Sequence, residues 1–265
     1  MRMNRSVAIS VLVLVATAVM AQENHKAVLG VYGQAEQFAL TQPTEDVNEK
    51  GMLYGVGLTF WQSQDSGLEL DALLELFTGT VDHEGDAQTQ GIRSPHYKSQ
   101  STYGGCKIEA MVGYCLTQGQ PLRLSPQLGL GTRMWSHQLD ASDDGDLGNH
   151  GYTEKWATYY AILGLQAREA LGPRQELIAR AQYRVPIINT ETVDLSNVGG
   201  PSDISLTPGN AASFYADAGM RIGTLQICVF METLNFKAST SDVYQGYSQP
   251  ESAATMVGGK VTLMY

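Results

Sequence analysis

The chain has 265 residues, of which 43% are apolar, 8% aromatic and only 17% charged, with 28 glycines and 13 tyrosines. This is enough material to bury a core in a single domain, and it excludes a disordered chain or a coiled coil. Seventeen Lys and Arg against 27 Asp and Glu give a net charge of -10, which repels an anionic polymer and excludes a nucleic-acid partner.

The N-terminus carries Arg2 and Arg5, then an apolar run from Val7 to Met20, then small residues ending at Ala21. That order is a secretory signal peptide over residues 1–21, too short for a transmembrane anchor, and it leaves 22–265 as one domain. Its removal takes Arg2 and Arg5 and lowers the net charge from -10 to -12. Cys106, Cys115 and Cys228 are an odd set for an exported chain, so disulfides do not organise the fold, and Cys115 and Cys228 read as small fillers of the interior.

From Lys26 onward, apolar residues recur at every second position in ten segments, the period of a strand with two unlike faces. They are 26–39, 50–61, 67–80, 98–116, 122–139, 152–170, 174–188, 211–222, 225–237 and 252–265. The connections between them alternate long and short. Residues 40–49, 81–97, 140–151, 189–210 and 238–251 are long, whereas 62–66, 117–121, 171–173 and 223–224 are tight. An even-numbered meander with every short turn at one end predicts an all-β, up-and-down antiparallel transmembrane barrel of the outer-membrane type.

Leu177, Ala179, Ala181, Tyr183, Val185 and Ile187 share one face of the seventh strand, and Glu176, Arg180, Gln182 and Arg184 the other. A soluble barrel would turn the apolar set inward. Three features assign it outward instead. Apolar-face aromatics fall in two bands, Tyr54, Tyr159, Tyr183 and Phe214 towards the long loops and Phe60, Tyr114 and Tyr265 towards the turns, as interfacial girdles do. The last strand ends on Tyr265 with no polar tail, resembling the signal read by the outer-membrane barrel assembly machinery. Finally, the other face is nearly neutral. Lys107, Arg123, Arg133, Arg168, Arg180, Arg184, Arg221 and Lys260 oppose Glu36, Glu69, Asp71, Glu75, Glu109, Asp217 and Glu232. Ten strands enclose a backbone cylinder of roughly 20 Å, in which such charges must pair.

The long connections and their flanks are acidic, with Glu45, Asp46, Glu49, Asp82, Glu84, Asp86, Asp140, Asp143, Asp144, Asp146, Glu154, Glu191, Asp194, Asp203, Asp242 and Glu251 against four cations. This predicts a negative outer rim that divalent cations would bridge to lipopolysaccharide phosphates. Asp140, Ser142, Asp144 and Asp146 lie in a partial calcium-loop pattern, which lacks the bidentate Glu because its twelfth position is Gly151. No other cofactor is implied. Four histidines fall at the loop end, and Asp82, His83, Asp86, His137 and Asp140 are the candidates for a rim hydrolase site.

The segments LGLGTRMWSHQL (128–139) and GYTEKWATYYAILGL (151–165), with the C-terminal strand, resemble a broad family of uncharacterised bacterial outer-membrane barrels with an omptin-like ten-strand layout. The resemblance implies that architecture and an outer-membrane location. Omptins are surface proteases that set a pair of rim aspartates against an Asp-x-His pair. Asp82 adjoins His83 here, but no Asp-x-His occurs, so no catalytic role is carried over. The leading reading is an outer-membrane barrel with a charge-filled lumen and acidic loops in a structural or surface-interaction role. A rim hydrolase and a small passive channel are the alternatives.

Overall fold

Residues that alternate in polarity form strands because each strand then offers one face to a nonpolar medium and one to a polar interior. The computed structural model describes residues 26–44, 46–85, 88–89, 92–93, 97–140, 151–196, 204–239 and 248–265. In chain order its strands are β1 (Lys26–Gln42), β2 (Val47–Ser63), β3 (Leu68–Gly85), β4 (Gln88–Thr89), β5 (Ile92–Arg93), β6 (Tyr97–Tyr114), β7 (Leu122–Leu139), β8 (Thr153–Gly172), β9 (Gln175–Asp194), β10 (Ile204–Leu206), β11 (Gly209–Asn210), β12 (Ser213–Ile222), β13 (Leu225–Lys237) and β14 (Ser252–Met264). β4 and β5 form a small separate hairpin, β10 pairs with the outer part of β9, and β11 pairs with β13.

The ten long strands pair antiparallel around a ring, β1-β2-β3-β6-β7-β8-β9-β12-β13-β14. β14 returns to β1 from Gly30↔Met264 to Thr41↔Ala253. Closure leaves no unpaired edge, which is the condition for crossing hydrocarbon with strands. The turns at one end are tight. Gly67 and Gly223 adopt φ of 91° and 61° there, a backbone region that glycine enters without steric cost.

The distribution of side chains is inverted relative to a soluble protein. Val229, Leu128 and Leu130 are 64–66% exposed on the outside, while Glu36, Glu69, Glu75, Lys107, Glu109, Arg133, Arg184 and Glu232 are at most 3% exposed inside. An apolar exterior around a charged interior is the arrangement of a barrel dissolved in a bilayer. Tyr54, Tyr114, Tyr183, Phe214 and Tyr265 stand exposed on that exterior, and Phe60 and Tyr159 are partly so. Tyr183 pairs directly with Phe214, and Leu29 joins Phe60 to Tyr265 across three strands, so neighbouring aromatics share a level.

The strands run further past the outer aromatics than the hydrophobic pattern alone indicates. The connection expected over 40–49 shortens to the four residues between β1 and β2, β3 continues to Gly85, and β9 continues to Asp194. Long and short connections therefore do not alternate strictly. The reason is physical: above the apolar belt the outward residues become polar and the period-2 signal fades, yet the backbone ladder continues. Asp86, Ser142, Asp144 and Asp146 lie outside the described residues, as does segment 1–21.

Val229→Arg places a charge in the belt, and the expected cost is about 2–4 kcal/mol of stability in lipid vesicles. Val229→Leu should be neutral. Denaturant unfolding of both proteins checks this, and equal tolerance would mean that the exterior faces water.

Candidate functional site

The interior is built around Glu232 on β13. Its Oε2 accepts a hydrogen bond from Lys107 Nζ at 3.1 Å, and its Oε1 accepts from Arg133 Nη1 at 2.9 Å and from Arg184 Nη1. β6, which carries Lys107, stands opposite β13 in the ring, so this contact crosses the interior. Lys107 also lies 3.4 Å from Glu75, and Arg184 Nη2 lies 2.8 Å from Glu109. Tyr32 and Tyr160 donate to Glu75 and Glu109, each at 2.8 Å. Both tyrosines lie over glycines: a Cβ on Gly57 would run into the Tyr32 ring, and one on Gly131 into the Tyr160 ring. Each acid thus has charged and neutral donors, as burial in low dielectric requires.

Towards the tight turns the pattern repeats with fewer partners. Arg180 Nη2 and Tyr215 OH donate to Asp217 Oδ2 at 2.6 and 2.7 Å, and Lys260 Nζ stands 3.7 Å away. Gln127 donates to Asp71 at 2.8 Å, and Arg123 donates to Glu69 and to Ser63. Arg168 and Arg221 share Glu176, at 3.5 and 3.1 Å, and Arg168 stacks on Trp61 at 4.3 Å. Towards the outer end, Arg133 lies 4.6 Å over the Phe77 ring. Phe77 belongs to a buried cluster with Phe38, Leu53, Val81, Tyr103, Trp156, Phe236 and Met256.

Beyond that cluster is a second polar assembly, on parts of the strands that extend past the outer aromatic band. From Tyr54 to Glu49 on β2 is five residues, about 12 Å of height for a tilted strand. Glu49 is the hub. Its Oε1 accepts from His83 Nδ1 at 2.7 Å, His137 Nε2 at 3.1 Å and Ser101 Oγ at 2.8 Å, and its Oε2 accepts from the Tyr103 hydroxyl. His137 donates its other nitrogen to Glu154 Oε2 at 3.0 Å, and Trp156 Nε1 donates to the same oxygen at 3.1 Å. Glu191 faces Trp156 across the β8–β9 ladder; it is 1% exposed, and neither carboxylate oxygen has a hydrogen-bond partner.

Burial works against a charge on His137, but the Glu49 carboxylate and the hydrogen bonds that His137 donates to both acids outweigh it and raise the imidazole from 6.5 to about 10. Burial likewise opposes ionisation of Glu49, and His137, with hydrogen bonds from His137, His83 and Tyr103, overcomes it and holds this carboxyl well below the usual range. For Glu191 the balance is reversed: burial first, and the nearby Glu154 second, outweigh the His137 charge and push it far up, so it stays a neutral acid at pH 7.

The structure joins two of the sequence-predicted rim candidates and separates two others. His83 and His137 meet through Glu49, whereas Asp82 and Asp140 are exposed and outside that assembly. Glu49, Glu154 and Glu191, expected on the acidic rim, are instead buried inside the mouth. Inward parity, carried past the aromatic band along β2, β8 and β9, is the signal that would have found them. The predicted lumen residues Glu69, Asp71, Glu75, Glu109, Arg123, Arg133, Arg168, Arg180, Arg184, Asp217, Arg221 and Glu232 all point inward; Glu176, read only as part of the polar face of the seventh strand, and the hydroxyls of Tyr32, Tyr160 and Tyr215 join them. Cys106, Cys115 and Cys228 are free thiols. Among the described residues, no group of His, Cys, Asp and Glu is arranged to hold a metal ion.

Arg184→Ala leaves Glu232 and Glu109 short of a buried donor, and a loss of about 3–5 kcal/mol is expected. Asp82→Ala should leave the melting curve in place, so equal shifts would refute the ion-paired interior. The pH dependence follows from the outer assembly. The raised His137 contributes stability that is complete below pH 6.5 and is lost as pH rises through about 10. The raised Glu191 acts in the same direction. Melting temperature should therefore fall from pH 7 to 10, and His137→Gln should flatten that fall; a stability that rises over this range would contradict the assignment.

No protein-family model matches the chain, and no curated protein matches it. Among solved structures, it is similar to the outer membrane protease OmpT from Escherichia coli, with a TM-score of 0.60, 10% identity, and coverage of 92% of this chain and 98% of that one. It also matches a major outer membrane protein from Thermus thermophilus, with a TM-score of 0.45, 13% identity, and coverage of 90% and 99%. At these identities the likeness is one of fold. The chain is thus a closed, ten-strand antiparallel barrel of the kind found in outer-membrane proteins.

Proposed function

We propose that this protein is an integral outer-membrane barrel with a sealed interior, acting through what its outer end presents to the surroundings and not through passage of solutes. The observation that carries this reading is the Glu232 hub, where donors from β6, β7 and β9 converge on one acid from β13. The buried aromatic cluster stacked on it through Arg133 and Phe77 supports the same reading. A continuous water path would have to break pairs whose desolvation is already offset. Residues 1–21 serve export, and β14, with the exposed Tyr265 beside it, serves recognition by the assembly machinery. Exposed acids such as Asp82 and Asp140 meet lipopolysaccharide through divalent cations.

A rim hydrolase is the second reading, favoured by the Glu49–His83 contact. A carboxylate on Nδ1 orients an imidazole so that Nε2 is the nitrogen that takes a proton. His137, held as imidazolium, suits a stabilising role and not that of a base.

Planar-bilayer recording distinguishes the proposal from a channel: the purified protein should give no discrete conductance steps, and regular steps would overturn a sealed interior. Peptide, ester and lipid hydrolysis assays bear on the second reading. Turnover abolished by both His83→Ala and Glu49→Gln in folded protein would replace the structural role with an enzymatic one.

A further inference from the structure

One part of the mouth collects oxygens that no donor reaches. Thr158 on β8 and Asn189 on β9 are direct ladder partners, and Glu191, opposite Trp156, is the next buried residue on β9. All three are 1–5% exposed. Among the described residues, Thr158 Oγ1, Asn189 Oδ1 and both Glu191 carboxylate oxygens have no hydrogen-bond partner. Buried acceptors left unmet are costly. The donors around them are engaged elsewhere. His137 uses both ring nitrogens on Glu49 and Glu154, and Trp156 Nε1 donates to Glu154. The Asn189 amide nitrogen donates to Asn210 Oδ1 at 3.0 Å and to the Pro208 and Gly209 carbonyls at 3.5 Å. Those residues follow Leu206, which pairs with Glu191 on the flank of β9 away from β8. The Asn189 carbonyl is therefore turned towards β8 and Thr158.

We propose that these oxygens hold one calcium ion between β8 and β9, with Glu191 as its carboxylate ligand and Asn189 Oδ1 and Thr158 Oγ1 as neutral ligands. Ladder partners place their Cβ atoms about 4.5–5.5 Å apart, and a residue two positions further along the strand adds about 6.6 Å. The length of a Glu side chain covers that step. Oxygens about 5 Å apart can share an ion whose bonds to oxygen are about 2.3–2.6 Å long, with solvent completing roughly six to eight ligands. The donor set selects the ion. It is a carboxylate, an amide oxygen and a hydroxyl, with no thiolate and no imidazole nitrogen left to bind, which disfavours zinc. Calcium accepts irregular oxygen sets and a bidentate carboxylate, whereas magnesium demands a near-ideal octahedron. Glu154, the charge that acts most strongly on Glu191, supplies the second negative charge that a divalent ion requires. The ion and the proton of neutral Glu191 compete for one place. This position is distinct from the exposed acids Asp82 and Asp140.

The test is calorimetric titration of calcium chloride into the full barrel in detergent free of lipopolysaccharide, after chelator treatment and at fixed ionic strength. The wild type should take up one ion, with a dissociation constant of about 10⁻⁵–10⁻³ M. Glu191→Gln, which keeps the shape and removes the charge, and Asn189→Ala should each weaken binding at least about tenfold. Asp82→Asn and Asp140→Asn should leave it unchanged, and magnesium should bind the wild type at least about tenfold more weakly than calcium. Heat-modifiable gel mobility confirms that each variant is folded, and if either mouth variant does not fold, Thr158→Val carries the comparison in its place. Absence of binding by folded wild type would leave these oxygens to water and overturn the site. Equal binding by Glu191→Gln would do the same, as would a loss confined to the Asp82 and Asp140 variants, which would put the ion on the exposed rim. An equal response to magnesium or sodium would overturn the assignment to calcium.

Discussion

An ionised group inside a narrow barrel is tolerable only when its partners are already in place, and Glu232 is where this constraint is tightest. Three cations from three strands converge on one carboxylate that is 1% exposed. Removing water from an isolated charge costs several kcal/mol, so each partner is needed chiefly because the others are buried. This ties the strand register to the charge pattern. A one-residue slip in β13 would turn Glu232 into the lipid and Met231 into the ion-pair layer. The apolar exterior holds the barrel in the membrane, while the interior pairs specify which closed barrel forms.

The interior is layered. Arg180, Asp217 and Lys260 lie towards the turns, the Glu232 hub lies in the middle, and an aromatic layer around Phe77 and Trp156 lies above it. The Glu49 assembly follows at the mouth. It differs from the hub in kind, because it combines two imidazoles, two carboxylates and a neutral acid in place of permanent guanidinium charges. Guanidinium charges do not titrate in the physiological range, whereas a histidine–carboxylate chain is of a kind that exchanges protons with pH. The fold is shared with OmpT, and since architecture and activity are separable, the chemistry of this mouth follows from its own residues.

Much of this was legible in the sequence because strand parity is a rigid rule. Glu69, Asp71 and Glu75 alternate with Leu68, Leu70 and Leu74, and no other structure puts those sets on opposite faces as simply. Pairing was not legible. Arg133 meets Glu232 across non-adjacent strands through the shear of the barrel, which no single strand encodes. Nor was the depth of the mouth legible. Glu49, Glu154 and Glu191 follow the inward parity, but their outward neighbours are polar, so each read as part of an acidic loop. Their burial depends on His83, His137 and Trp156 reaching them from other strands.

A double-mutant cycle on Arg184 and Glu232, measured by reversible unfolding in vesicles, tests most directly whether these charges are buried partners. With Arg184→Ala, Glu232→Ala and the double variant, the account predicts that the double loss falls short of the summed single losses by about 2 kcal/mol or more. Additive losses within about 0.5 kcal/mol would mean that the two side chains are solvated independently, and the ion-paired interior would not stand.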